Sequence, residues 1–220
     1  MTFLALTVTP DRSKIVISQD QGIAPTKAHD TLPTADPYVA PGLGAAPVTP
    51  AELRGKILRK GSLVLAGLGA FGVLAIAADT IEAAGADTLD RALDIDFDFS
   101  TIPPSVLFLM GYSERLDRVA ALMLSAPEYR PVEVPPGHTL HPVPCEDLPS
   151  YDRIYDLWTP AAHGEAVEAF HLAVAANVWQ GWRERRLREP AAFGGALQTL
   201  TLTADGIVER EAAGFWQSGG

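Results

Sequence analysis

Residues 55–72 read GKILRKGSLVLAGLGAFG, and the element order they imply decides the fold. Lys56–Leu58 and Ser62–Ala66 are short β-rich runs around Arg59-Lys60-Gly61, a hairpin signature. A helix is expected from about Gly69 to Ala84, with Phe71, Leu74, Ile76 and Ile81 at the mixed three-, four- and five-residue spacings of a helix pressed against a sheet. Ser62–Ala78 is uncharged and nearly long enough to span a bilayer, for which about 20 residues are usual. Its three glycines and its polar continuation DTIEAAGADTLDRAL instead indicate a buried strand, a turn and a half-buried helix, so no membrane insertion is expected.

The same grammar repeats on both sides. Upstream, residues 2–8 and 14–19 flank TPDRS, an opening hairpin. Downstream, Thr88–Leu93 adds a helical turn, Asp94–Asp98 alternates carboxylates with apolar groups as a solvated strand face, and Val106–Tyr112 with Val119–Ser125 forms a third hairpin around SERLDR. Arg130–Pro149 reads as Pro-rich loop. A long helix is expected over about Ala161–Glu189, with an apolar stripe of Val167, Phe170, Val174, Val178 and Trp182. Its acidic start (Glu165, Glu168) and basic end (Arg183, Arg185, Arg186, Arg188) suit the helix dipole. Leu197–Thr203 and Ile207–Glu211 close the chain as a hairpin turned by Ala204-Asp205-Gly206. Hairpins interleaved with two helices imply two sheets packed face to face with helices outside. The segment at about 21–52 stands apart. Residues 21–50 hold six of the 18 prolines with almost no periodicity, an inserted arm within a single domain spanning 1–220.

Composition narrows the functional classes. A net charge of −10 argues against nucleic acid as a partner, because phosphate binding needs clustered Lys and Arg. Cys145 is the single cysteine, so neither an intrachain disulfide nor a cysteine-based zinc cluster can form. His138, His141 and Cys145 have ligand chemistry but lie in a Pro-fixed loop, PPGHTLHPVPCED, without an evident fourth ligand; they read as surface residues, and no metal or cofactor is expected. The Asp94-Asp96-Asp98 pattern lacks the glycine and spaced Glu of a calcium loop. WRERRLRE reads as the solvated end of the long helix, and Trp158 and Trp216 as exposed anchors for a partner. The N-terminus lacks the basic start and apolar run of a secretion signal.

Three residues could carry chemistry: Thr2, Asp20 at the end of KIVISQD, and Lys56 opening the second hairpin. With the Lys-hairpin-Ala-Gly-turn-helix segment quoted above, VLFLMGYSERLDRVAALMLS and FGGALQTLTLTADGI, they make most of the chain resemble proteasome-like N-terminal-nucleophile (Ntn) hydrolases. The resemblance implies an α+β, four-layer αββα sandwich of two antiparallel sheets. It also implies a site in which Thr2, freed of Met1, is the nucleophile, its own α-amine takes the hydroxyl proton, Lys56 lowers that amine's pKa, and Asp20 holds Lys56. A peptide bond to Met1 removes that base. The family's supporting Ser–Asp cluster has no match, since CEDLPSYD stands where a Gly-Ser-Gly segment is usual. Proteins resembling proteasome subunits with long inserted arms occur among phage tail-region genes, and the Ala/Pro/Arg-rich style suits a GC-rich host. The resemblance therefore implies a non-catalytic structural subunit of a phage virion or tail, located in the virion or the bacterial cytoplasm. Its protein partners would be met by the 21–52 arm and the C-terminal tail. The alternative is an active threonine amidohydrolase or peptidase.

Overall fold

The computed structural model describes residues 4–20, 57–68, 72–101, 105–140, 167–175 and 197–212. Among these residues ten strands form two five-stranded antiparallel sheets, and helices are few, so the class is α+β. One sheet takes the order β10-β9-β2-β1-β8, from β1 (Leu4–Val8), β2 (Lys14–Asp20), β8 (Thr139–Leu140), β9 (Leu197–Thr203) and β10 (Gly206–Ala212). The other runs β3-β4-β5-β6-β7, from β3 (Ile57–Lys60), β4 (Leu63–Leu68), β5 (Val106–Ser113), β6 (Arg118–Ser125) and β7 (Pro131–Glu133).

Strand composition explains these positions. β5 (VLFLMGYS) and β6 (RVAALMLS) are apolar on both faces and buried on both, as central strands covered from two sides must be. β3 exposes Arg59 at its sheet's edge, and β10 exposes Glu209 and Arg210 at the other. Alternation then divides the apolar residues. Leu6, Ile15, Ile17, Leu200 and Leu202 of the first sheet share one core with Val64, Val106, Phe108 and Met123 of the second, an arrangement consistent with a sandwich. The opposite face of the second sheet, with Leu65, Leu107, Leu109 and Leu122, packs on α1 (Gly72–Ala84) and α2 (Leu89–Ala92). α1 buries Val73, Leu74, Ala77 and Ile81, one stripe at helical spacing. A further helical stretch, residues 167–175 (α3), lies against the first sheet, with Val167 packed on Val16.

Several expectations are sharpened. Ser62–Ala78 divides into β4 and α1, and no helix among the described residues is long and apolar enough to cross a membrane. The second hairpin turns at Gly61-Ser62 rather than at 59–61, because Gly61 takes the left-handed conformation (φ +57°) and a Cβ there would come 2.8 Å from the Asp87 carbonyl oxygen. Arg130–Pro149 is corrected from plain loop: it contains β7 on β6 and β8 on β1. Both strands are too short, two and three residues, for periodicity to reveal. Asp94–Asp98 keeps the expected alternation, with the three carboxylates exposed, but without strand pairing; Phe97 and Phe99 stack beneath at 5.6 Å. The 21–52 arm, the Trp positions, WRERRLRE and the C-terminal tail lie outside the described residues.

Candidate functional site

Of Thr2, Asp20 and Lys56, only Asp20 lies within the described residues. The surrounding strand ends nevertheless define a location. Leu4 opens β1 opposite Gln19, and Asp20 ends β2 opposite Leu197, so these termini share one end of the first sheet. Ile57 opens β3 opposite Ala66, and Leu68 ends β4, so these share one end of the second. The Gln19 side chain joins the two ends, its Nε2 donating to the Gly67 carbonyl at 3.1 Å. In sequence, Thr2 is two residues before β1 and Lys56 one residue before β3. The described strands therefore bring Asp20 and the beginnings of β1 and β3 to a common end.

That end is sealed. Leu4 and Asp20 are 0% exposed, Gln19 1%, Leu197 2% and Leu68 6%. Strand alternation sets Asp20 on the face of Val16 and Ser18, while Gln19 carries the opposite face toward the second sheet.

A second polar constellation, unforeseen from sequence, lies between the first sheet and α3. Thr7 Oγ1 is 2.5 Å from Thr139 Oγ1 and 2.8 Å from His171 Nε2. Ser18 Oγ is 2.9 Å from His171 Nδ1 and 2.8 Å from Thr199 Oγ1. A hydroxyl within hydrogen-bond reach of an imidazole is the geometry of an activated nucleophile. Here Thr7, Ser18 and His171 are wholly buried, so no substrate carbonyl reaches them. The network does structural work instead: both ring nitrogens meet hydroxyls that can donate or accept, and α3 is held by polar groups as well as by Val167, Val174 and Ala175. Glu168 adds to this, accepting from Thr201 Oγ1 at 2.6 Å and from Arg210 at 2.5 Å. The expected apolar stripe is thereby corrected within its described part. Phe170 is half-buried, and His171 occupies the buried position four residues after Val167. The available signal was Thr7 and Ser18, polar residues inside otherwise apolar strands, which call for a polar partner across the interface.

Among the described residues, carboxyls with lowered pKa values lie away from this network, near the surface. Burial pushes the Asp90 carboxyl up. Hydrogen bonds from Ser113 Oγ (2.6 Å) and the Arg115 and Glu114 N–H groups, with the Arg115 charge, outweigh that effect and hold it below its ordinary value. Asp11 is likewise lowered by hydrogen bonds from Thr9 and Ser13 in the β1–β2 turn. His138 is half-buried beside β8, whereas His141 and Cys145 lie outside the described residues. No group of three or more His, Cys, Asp or Glu able to hold a metal occurs among the described residues.

Compared with known proteins, the chain matches no family model and no curated protein.

Proposed function

We propose that the chain is a proteasome-like Ntn-hydrolase-fold subunit, a four-layer αββα sandwich, that serves a structural rather than catalytic role in a larger assembly, most specifically a phage tail or virion. The observation that carries the non-catalytic reading is the closure of the Asp20 end. A hydrolytic centre must admit both a substrate and water, yet Leu4, Gln19, Asp20, Leu68 and Leu197 there are buried, and Gln19 ties the two sheets together beside them. The four-layer reading is supported by the packing of α1 and α2 on one sheet and of α3 on the other. Partner contacts fall to the Pro/Gly-rich 21–52 segment and the C-terminal tail, whose compositions carry little core-forming pattern. The phage assignment rests on family analogy alone.

A second reading, an N-terminal-threonine amidohydrolase or peptidase, is favoured by one observation: Asp20 shares its end with the starts of β1 and β3, which Thr2 and Lys56 precede in sequence. Turnover of a panel of fluorogenic peptide amides by wild-type protein and by Thr2→Ala separates the two. The structural role requires the two proteins to show equal background rates. Turnover that depends on Thr2 would establish the hydrolase instead.

A further inference from the structure

Two buried amides stand side by side where β2 meets β9. Gln19 and Gln198 are directly opposed in the antiparallel register, and alternation puts both on the face that carries Ile17, Leu200 and Leu202 toward the second sheet. They are 1% and 6% exposed. Their amide orientations are fixed by their partners. Gln19 Nε2 donates to the Gly67 carbonyl at 3.1 Å, and Gln198 Nε2 donates to Glu209 Oε1 at 2.7 Å. Neither a carbonyl nor a carboxylate can donate, so flipping either amide would oppose acceptor to acceptor. Each Oε1 must therefore remain an acceptor. Both are buried, and neither has a hydrogen-bond partner among the described residues.

A buried acceptor left without a donor loses its hydration and gains nothing in return. Two such atoms in neighbouring strands are unusual where all other buried side-chain polar atoms of the described residues are satisfied. Opposed residues of an antiparallel pair hold their Cβ atoms about 4.5–5.5 Å apart, so the two amides leave the sheet as neighbours on one face. The required guest has two donors, little volume and no charge to desolvate. We infer that Gln19 and Gln198 form a site for a single enclosed water molecule, which donates one hydrogen bond to each Oε1. At the Asp20 end, β2 and β9 of the first sheet are then bridged by this water on the face turned to the second sheet, beside the direct inter-sheet Gln19–Gly67 bond. The inference is independent of the proposed function.

A crystal structure of the full chain at a resolution that shows ordered solvent tests it directly. The expected result is one peak within about 2.6–3.2 Å of both amide oxygens. No peak there, protein donors on the two oxygens, or a peak at the roughly 2.3–2.6 Å typical of a bound calcium ion would overturn the assignment. Oxygen-17 water relaxation dispersion gives a second readout. Gln19→Met, Gln198→Met and the double variant should each lose the same one long-lived water. Loss of none, or of two in the double variant, would contradict a shared molecule. If the variants do not fold, the wild-type density decides alone.

Discussion

Gly111 and Asp90 fasten α2 to the β5–β6 hairpin in complementary ways, one by the space it leaves and one by charge. A Cβ at Gly111 would come 2.9 Å from the Ser62 carbonyl oxygen and 3.3 Å from the Leu89 Cβ, and the first of these is backbone that cannot swing away. Gly111→Ala should therefore destabilise the protein by about 1–3 kcal/mol in denaturant unfolding, the usual range for overpacking. Asp90 gathers Ser113 Oγ and two turn N–H groups, and its carboxyl is held below the ordinary value. A carboxyl lowered by folding stabilises above its unfolded pKa, and that contribution is lost as pH falls through the lower folded value. Asp90→Asn should thus cost about 1 kcal/mol at pH 7, after discounting for solvent screening. Thermal melts of the pair should converge as pH is lowered below about 4. A gap that persists unchanged into acid would assign the effect to shape rather than charge. Asp90 carried no sequence signal beyond following a Thr N-cap, because its partners are 23–25 residues away.

The elements were legible wherever a hairpin or an amphipathic stripe encoded them locally, as in β1–β2, β5–β6 and α1. Pairings between distant segments were not, since no local turn specifies register there. β2 pairs with β9 across more than 170 residues, and β8 reaches β1 with only two. The polar docking of α3 was hidden for a related reason: His171 gains meaning only when Thr7, Ser18 and Thr199 are brought beneath it. Ser18→Ala removes a partner from both His171 Nδ1 and the Thr199 hydroxyl, leaving a buried ring nitrogen exposed to an apolar methyl. A loss of about 1–3 kcal/mol is expected. Amide hydrogen exchange should localise it, with protection falling over residues 167–175 while β5 and β6 keep theirs. Uniform loss across both sheets would instead mean that α3 and the sheet unfold as one unit.

At the scale of the molecule, two antiparallel five-stranded sheets share a core, and Gln19, Asp20, Leu68 and Leu197 are buried at the end that carries Asp20. The sequence picked out Asp20 as a strand end but not its burial, because the strand that pairs beside it, β9 with Leu197 opposite Asp20, is distant in sequence. Chemistry by Thr2 requires a free α-amine on that residue, and a preceding peptide bond abolishes it. N-terminal sequencing with intact-mass measurement of the protein from its native source addresses this most directly. A structural, non-catalytic subunit predicts that Met1 is retained and Thr2 remains internal; a mature chain that begins at Thr2 would contradict it.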